Sequence, residues 1–274
     1  MLRKLMKYEI KATARILIPL YIALLAFAII NKIFIGTGLA HKLDGFGSIP
    51  FILSIFGYGC TMAAVFIVTF FVIIQRFYKN LLGDEGYLMN TLPVSTITNL
   101  ASKLSIAGFW NIISGFVAII SILIMAFDPI AFSKFFTEMF KALSEGYSEI
   151  GMQLYIIIFE IIILILVALL RSLTMIYASI AIGHLFSKHR ILSAFGAFIA
   201  LNFITGAIST AIMIVFSIVG KGLDHPLNNM HLDNASALLV VHGFIIGIIV
   251  FNLLFFLAYF IITNYILKNK LNLE

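Results

Sequence analysis

The chain has 274 residues, of which 62% are hydrophobic and only 11% are charged, and its mean hydropathy is +1.12. A soluble protein of this length needs charged side chains over its whole surface, so the composition excludes that class and predicts a chain whose main solvent is lipid. The net charge of +6 indicates membrane orientation, not affinity for nucleic acid. A single cysteine, Cys60, excludes an intramolecular disulfide and a paired-cysteine zinc motif.

Residues 1–15 are predicted to form a basic amphipathic helix. Apolar residues recur there at helical spacing, and four cations, Lys4, Lys7, Lys11 and Arg15, occupy the opposite side. Such a helix lies in the membrane interface with its cations among the lipid headgroups. A plain juxtamembrane tail is the alternative interpretation.

Six apolar segments, each long enough to cross a bilayer, follow this helix. They cover residues 16–35, 49–74, 105–127, 152–183, 192–219 and 237–267. No alternating pattern recurs at the spacing that a β-barrel would need. The predicted fold class is therefore an all-α, polytopic membrane protein with six transmembrane helices.

The cations predict which side of the membrane each loop occupies. With the amino terminus inside, the inner segments collect most of the lysines and arginines, and the outer segments hold only Lys32, Lys42, Lys134, Lys141 and Lys221. Inner loops of membrane proteins carry this excess. We therefore expect a multi-pass membrane protein with both termini in the cytoplasm.

An outer amphipathic helix is predicted over residues 129–147. Phe132, Phe135, Phe136 and Phe140 follow i, i+3, i+4 spacing, and polar residues fill the other face. Such a helix lies on the outer leaflet and could act as an outer gate. Simple packing against the ends of neighbouring spans is the alternative.

Two charged residues, Glu160 and Arg171, lie inside the fourth apolar segment. They share a helical face but are too far apart along the axis to pair directly. Charges within a span usually mark a translocation route or an internal pair, so each is expected to face another span or a water-lined cleft. The alternative for Arg171 is that its long side chain simply reaches the inner headgroups.

The phosphate-binding loop and the commonest intramembrane hydrolase motifs are missing from the sequence. The chain has no phosphate-binding loop, no HExxH and no GxSxG, so we expect no ATP hydrolysis and no catalytic residue in this chain. The outer loop holds Asp224, His225, His231 and Asp233, which are metal-ligand types. Solvated loop residues are the favoured interpretation, and no metal site is assigned.

The most informative polar segment lies between the second and third spans, at residues 75–104. Its charge, glycines and proline exclude it from hydrocarbon. Within it, residues 82–100 are predicted to form a cytoplasmic segment with a short helix capped by Asp84, a turn through Pro93, and a second helix capped by Ser95 or Thr96. Exposed aromatic and acidic residues on a short helix suit docking into a groove of a soluble partner.

The sequence of this segment resembles the loop of bacterial type-2 ABC exporter permeases, especially those of Gram-positive anaerobes. The residues that carry the resemblance are D-E-G-Y-L-M-N-T-L-P-V-S followed by S-K-L. The opening L-M-K-Y-E-I-K-A-T-A-R resembles their amino-terminal connecting helix. The likeness covers the full length of the chain. The phenylalanine-rich outer helix departs from the family pattern.

The resemblance implies a permease that pairs with a second copy, as a homodimer or heterodimer, and with two separate ABC ATPase subunits. It also implies that the complex lies in a bacterial plasma membrane, that no cofactor binds this chain and that ATP and Mg²⁺ bind the partner ATPase. The residues that match the ATPase-coupling segment are Asp84, Glu85, Gly86, Tyr87, Leu88, Thr91, Leu92 and Pro93. Those that match the connecting helix are Tyr8, Glu9 and Arg15.

The expected function is ATP-driven export of a hydrophobic or amphipathic cargo, with a peptide toxin or antimicrobial peptide favoured. The 27 phenylalanines and the scarcity of polar residues in the spans favour such a cargo over sugars. Two alternatives remain open. One is a membrane sensor or scaffold that only recruits an ATPase, and the other is an ion-coupled secondary carrier with Glu160 as its proton-coupling residue.

Overall fold

The computed structural model describes residues 2–36, 49–83, 95–186, 188–227 and 234–270. Within these ranges every regular element is helical, which confirms the predicted all-α class. The elements are α1 (Leu2–Gly36), α2 (Ile49–Phe77), a π-helical turn (Tyr78–Leu82), α3 (Thr96–Ala126), α4 (Pro129–Ile150), α5 (Gln153–Gly183), α6 (Arg190–Leu227) and α7 (Asn234–Asn269).

Six of these helices are long and apolar enough to cross a membrane. Their apolar segments are Leu5–Gly36, Ile49–Leu82, Thr96–Ala126, Gln153–Gly183, Arg190–Val215 and Leu238–Asn269. The shortest has 26 residues, which is roughly 39 Å at a rise of about 1.5 Å per residue. That length exceeds the hydrocarbon core of about 30 Å, and the chain is a multi-pass membrane protein.

The distribution of side chains fits a lipid solvent. Ile165 is 63% exposed and Phe203 is 76% exposed, whereas the hydroxyl residues Thr69, Ser114 and Thr174 are buried. In water this arrangement would leave apolar surface wet, but lipid favours apolar side chains outside and polar groups paired between helices.

The chain divides into two compact units, residues 1–79 with 92–140 and residues 80–91 with 141–274. The first unit contains α1, α2 and α3, which pack against one another. The helices α1 and α3 run parallel, because Glu9 meets Lys103 and, further along both helices, Tyr21 meets Ser114. The segment predicted as an interfacial helix continues without a break through Arg15 into the first span.

The helix α2 runs antiparallel to α3, since Tyr58 contacts Ser121 and the later Thr69 contacts the earlier Ser114. Between the three helices lies an apolar core formed by Leu17, Tyr21, Leu24, Ala28, Tyr58, Val65, Ile106 and Trp110. The start of α3 is fixed by Ser95, whose hydroxyl accepts a hydrogen bond from the Thr98 backbone N–H at 3.3 Å. This N-cap confirms one of the two capping residues that the sequence indicates.

The second unit is built around α5, which packs against both α6 and α7. The helices α5 and α7 run parallel, because Glu160 meets His242 near their starts and Ala178 packs with Tyr259 further along. The helix α6 returns antiparallel, and Ala194 near its start lies against Gly183 at the end of α5.

The amphipathic helix α4 is divided between the units: its residues up to Phe140 belong to the first unit and those from Lys141 to the second. On its polar side, exposed ion pairs join Lys134 to Glu138 at 3.8 Å and Lys141 to Glu145 at 3.7 Å. The chain turns from α4 into α5 at Gly151, whose φ of 59° is a left-handed conformation that glycine adopts without strain.

Candidate functional site

A buried ion pair joins the starts of the two parallel helices of the first unit. The ammonium group of Lys103 on α3 donates to the Glu9 carboxylate on α1. Their side chains are only 3% and 10% exposed. Because each charge is removed from water, the pair depends on mutual neutralisation, and it fastens α1 to α3 at this level.

The three residues that match the connecting helix have different environments. Glu9 faces α3, whereas Tyr8 is 73% exposed and Arg15 is also exposed. Sequence reasoning used Lys103 only as an orientation cation and did not pair it with Glu9. A lysine just before a predicted span, with no acid within a helical turn of it, was the signal that a partner on another helix was needed.

Hydroxyl groups connect the same three helices deeper in the first unit. The Tyr21 and Ser114 hydroxyl oxygens lie 2.8 Å apart, and the Thr69 hydroxyl lies 2.9 Å from the same Ser114 oxygen. One side chain on α3 thereby links α1 and α2. Such hydrogen bonds fix helix register in a bilayer, where apolar contacts alone distinguish registers poorly.

The residues that match the ATPase-coupling segment, Asp84, Glu85, Gly86, Tyr87, Leu88, Thr91, Leu92 and Pro93, lie outside the described residues. What precedes and follows them is described. On the amino-terminal side, Asn80, Leu81 and Leu82 are buried in the π-helical turn. On the carboxyl-terminal side, α3 begins directly at its Ser95 cap.

In the second unit, His184 lies just beyond the end of α5 and hydrogen-bonds the backbone of Leu82. Burial lowers the pKa of His184 below its ordinary value, and the positive charge of Arg190 lowers it further. Hydrogen bonds to the backbone of Leu82 and of His184 itself oppose these effects. The imidazole is therefore held neutral where the residues before the coupling segment meet the connection between α5 and α6.

A second polar cluster lies near the starts of α5 and α7. His242 Nδ1 lies 2.9 Å from both Glu160 carboxylate oxygens, and His242 Nε2 lies 3.0 Å from Gln153 Oε1. The His242 and Glu160 side chains are 14% and 13% exposed. Sequence reasoning singled out Glu160 but missed His242, although a histidine inside an apolar segment was the available signal.

Arg171 does not meet Glu160, in keeping with their axial separation. The side chain is half-buried, and its buried Nε atom has no hydrogen-bond partner among the described residues. The two charged groups of α5 therefore differ in their hydrogen bonding: the Glu160 carboxylate is paired with His242 on α7, whereas the Arg171 Nε atom is without such a partner among the described residues.

The phenylalanines predicted to form an outer gate make a row of aromatic rings along α4. Ring centroids lie 4.7 Å apart for Phe132 and Phe136, 5.5 Å for Phe135 and Phe136, and 6.4 Å for Phe136 and Phe140. Phe135 and Phe140 are strongly exposed. This row is an apolar surface that suits lipid or an apolar cargo.

Within the part of the chain that the structure describes, no group of three or more His, Cys, Asp or Glu residues could hold a metal ion. His231 and Asp233, which the sequence predicts to lie in an outer loop, are outside that part. Comparison of the chain with protein-family models, with curated proteins and with solved structures finds no match. Its function is therefore inferred from its own residues.

Proposed function

We propose that the chain is the membrane-spanning permease subunit of a bacterial ATP-driven exporter. It would carry a hydrophobic or amphipathic cargo, with a peptide favoured, out through the plasma membrane, and both of its termini would lie in the cytoplasm. It has no catalytic role of its own in this scheme. Two separate ABC ATPase subunits bind ATP and Mg²⁺, and a second permease copy completes the complex.

The observation that best supports this proposal is the buried Glu9–Lys103 pair. Lys103 lies on α3, which begins immediately after the residues that match the coupling segment. If a closing ATPase displaced that segment, α3 would be displaced with it. Because breaking the ion pair is costly, α1 would move together with α3 and the two helices would shift as one body.

The apolar character of the spans supports the choice of cargo. In the six helices most polar side chains with a described hydrogen bond are engaged either with a backbone carbonyl one turn earlier in their own helix, as at Thr174, or with another helix, as at Ser114. A sugar would need many unpaired polar groups along its route, whereas an amphipathic peptide needs few. Export then requires that cargo affinity differ between the two states that ATP interconverts.

The experiment is purification of the tagged chain from its native membranes in mild detergent, followed by assay of Mg-ATP hydrolysis in the eluate. We expect the wild type to elute with ATPase activity and the double variant Tyr87→Ala, Leu88→Ala to elute at the same yield without it. The matched control is Tyr147→Ala with Leu143→Ala on α4, which removes the same two side-chain types and should leave the ATPase bound.

Retention of the ATPase by the Tyr87, Leu88 double variant would contradict the docking role, and a wild-type eluate without ATPase would contradict the whole proposal. A sensor or scaffold is distinguished by reconstitution. An exporter's ATP hydrolysis responds to an amphipathic peptide in the vesicle, whereas that of a scaffold is indifferent to it.

An ion-coupled carrier is a second candidate, favoured by the Glu160–His242 pair inside two spans. Acidic and histidine side chains at such positions occur in proton relays. The carrier predicts that vesicles holding the chain alone accumulate a cationic amphipathic dye under an imposed proton gradient. It also predicts that Glu160→Gln abolishes this accumulation; no accumulation by the wild type would exclude the carrier.

A further inference from the structure

We propose that the exposed side of α1 binds one anionic phospholipid, with the lipid phosphate between Arg15 and Lys11 and an acyl chain along Ile18 and Ile22. The site belongs to the first unit alone. It requires neither a cargo nor an ATPase, so it holds or fails independently of the export function.

The first turns of α1 carry three cations on one exposed face. Lys7, Lys11 and Arg15 are exposed, and their spacing of four residues keeps them within about 80° of one another around the helix axis. Glu9, the only acid of α1, points to the opposite side, where Lys103 neutralises it. Within the described ranges no carboxylate forms an ion pair with the three cations. This face therefore keeps three positive charges that the described residues do not neutralise.

The same face of α1 continues as an apolar strip. Its members are exposed isoleucines that fall in the same sector of about 80°, namely Ile18, Ile22, Ile29 and Ile33. Exposed isoleucines extend on this helix from Ile16 to Ile35, which is about 28 Å along the axis. That length matches the hydrocarbon core of a bilayer, about 30 Å. The boundary between hydrocarbon and headgroups therefore lies at Arg15.

The continuity of α1 decides how the cations are arranged at this boundary. The sequence predicts an interfacial helix there, but α1 continues without a break into the first span. The cations thus follow one another along the span, with Lys11 about 6 Å and Lys7 about 12 Å beyond Arg15. The headgroup layer is about 5–8 Å thick on each side of the hydrocarbon. Arg15 and Lys11 consequently lie within the headgroup layer, and Lys7 lies at its edge.

The chemistry of these side chains selects a phosphate with a net negative charge around it. A guanidinium group binds phosphate oxygens in a bidentate manner, and an ammonium group adds a compact charge. A lipid whose phosphate meets Arg15 and Lys11 has its acyl chains at the level of Ile18 and Ile22. A zwitterionic headgroup brings its own cation, which the three positive charges repel. Each basic residue near the surface favours an anionic lipid by roughly fivefold in affinity.

Charge complementarity also favours a lipid over a second copy of this chain as the occupant of this face. Because α2 runs antiparallel to α3, its end lies beside the starts of α1 and α3. That end of the first unit adds the cations Arg76, Lys79 and Lys103, and its described residues include no acid except Glu9. A second copy of the first unit would therefore present cations to cations at this level.

The test measures which lipid contacts α1. A fluorophore is attached at Ile22→Cys in a Cys60→Ala background, and the chain is placed in phosphatidylcholine vesicles. A minor fraction of the lipid is brominated on its acyl chains and is either phosphatidylglycerol or phosphatidylcholine. We expect brominated phosphatidylglycerol to reach half of its maximal quenching at a mole fraction at least about fivefold lower than brominated phosphatidylcholine. A label at Ile18→Cys should give the same preference, which guards against a local effect of one substitution.

The matched control for the label position is Phe116→Cys on α3. Phe116 and Ile22 are each 62% exposed, and they lie at about the same level because Tyr21 meets Ser114. The exposed face of α3 carries no cation over residues 96–116. We expect the two brominated lipids to quench this label equally.

The matched control for the charges compares two double variants. Lys11→Gln with Arg15→Gln should bring the ratio of the two half-quenching mole fractions to about one. Lys268→Gln with Lys270→Gln removes two exposed cations from the end of α7 and should leave the ratio unchanged. The preference should also decline as salt is added, because exposed charges are screened.

Three results would overturn the proposal. Equal quenching of the Ile22 label by both lipids would show that α1 does not select anionic lipid. No quenching by either lipid would show that a second copy or another protein covers this face. Loss of the preference in an excess of inorganic phosphate, at constant ionic strength, would show that the cations bind free phosphate and not a lipid headgroup.

Discussion

Glu9 and Lys103 lie 94 residues apart in the sequence, yet their side chains form an almost fully buried ion pair. Each charge neutralises the other, which allows both side chains to be buried among the helices. The pair also sets the axial register of α1 against α3, because Tyr21 then lies level with Ser114. Glu9 lies in the segment predicted as an interfacial helix, yet its side chain is buried within the first unit.

The first prediction concerns this pair. Glu9→Gln should destabilise the protein by about 3–5 kcal/mol, because it leaves the Lys103 ammonium buried without a counter-charge. The double change Glu9→Leu, Lys103→Met should recover most of that loss, since it removes both charges. Unfolding in a mixed-micelle denaturant series measures the free energies.

The control for this prediction is Glu138→Gln on α4. It also removes a carboxylate from a lysine partner, but that pair is 74% and 68% exposed. We expect a change below about 1 kcal/mol there. Equal effects at Glu9 and Glu138 would show that the Glu9–Lys103 pair is not desolvated in the folded protein.

The second prediction concerns the serine that joins three helices. Ser114→Ala removes the shared partner of the Tyr21 and Thr69 hydroxyls and should cost about 1–2 kcal/mol, with about 0.6 kcal/mol typical of each such bond in a membrane. Ser105→Ala on the same helix serves as control, because its hydroxyl bonds only the Ala101 carbonyl and is exposed. The same denaturant series compares the two variants, and equal losses would contradict the linking role of Ser114.

The class of fold could be predicted from the sequence because it follows from composition and segment length alone. Six runs of apolar residues longer than a bilayer core permit few structures other than six spans. The N-cap at Ser95 was also predictable, since it depends on residues only three positions apart.

The pairing of polar side chains could not be predicted in the same way. His242 reaches Glu160 across 82 residues, and Glu9 reaches Lys103 across 94. Periodicity identifies which face of a helix is polar but not which other helix meets that face. Those partners depend on packing and axial register, which local sequence does not encode.

The third prediction concerns the close approach of α5 and α6. An added Cβ at Gly183 would lie 2.5 Å from backbone atoms of Ala194, so Gly183→Ala should force the two helix ends apart and cost about 1–3 kcal/mol. The control is Gly196→Ala, where an added Cβ meets nothing within 4 Å. That change should stabilise α6 by roughly 0.5–1 kcal/mol through its helix preference. If Gly183→Ala left the free energy of unfolding unchanged, α5 and α6 would not approach each other as closely at Gly183 and Ala194 as the structure shows.

The fourth prediction concerns the pH dependence that His184 gives to stability. Burial and then the charge of Arg190 lower the pKa of His184 in the folded chain, so the unfolded chain binds this proton more tightly. Above about pH 6.5, the ordinary histidine pKa, the residue is neutral in both states and stability is unaffected. As pH falls from there towards the lowered pKa of the folded chain, stability decreases, and below that pKa the loss is complete and constant.

His184→Asn should therefore flatten this part of the stability profile, while His189→Asn, a change at an exposed position, should leave it in place. The apparent unfolding temperature, followed by the fluorescence of Trp110 in detergent micelles, measures both profiles. Arg190→Gln should weaken the slope without removing it, because burial is the larger cause and the arginine charge the smaller. If Arg190→Gln removed the whole slope, charge repulsion and not burial would control this histidine.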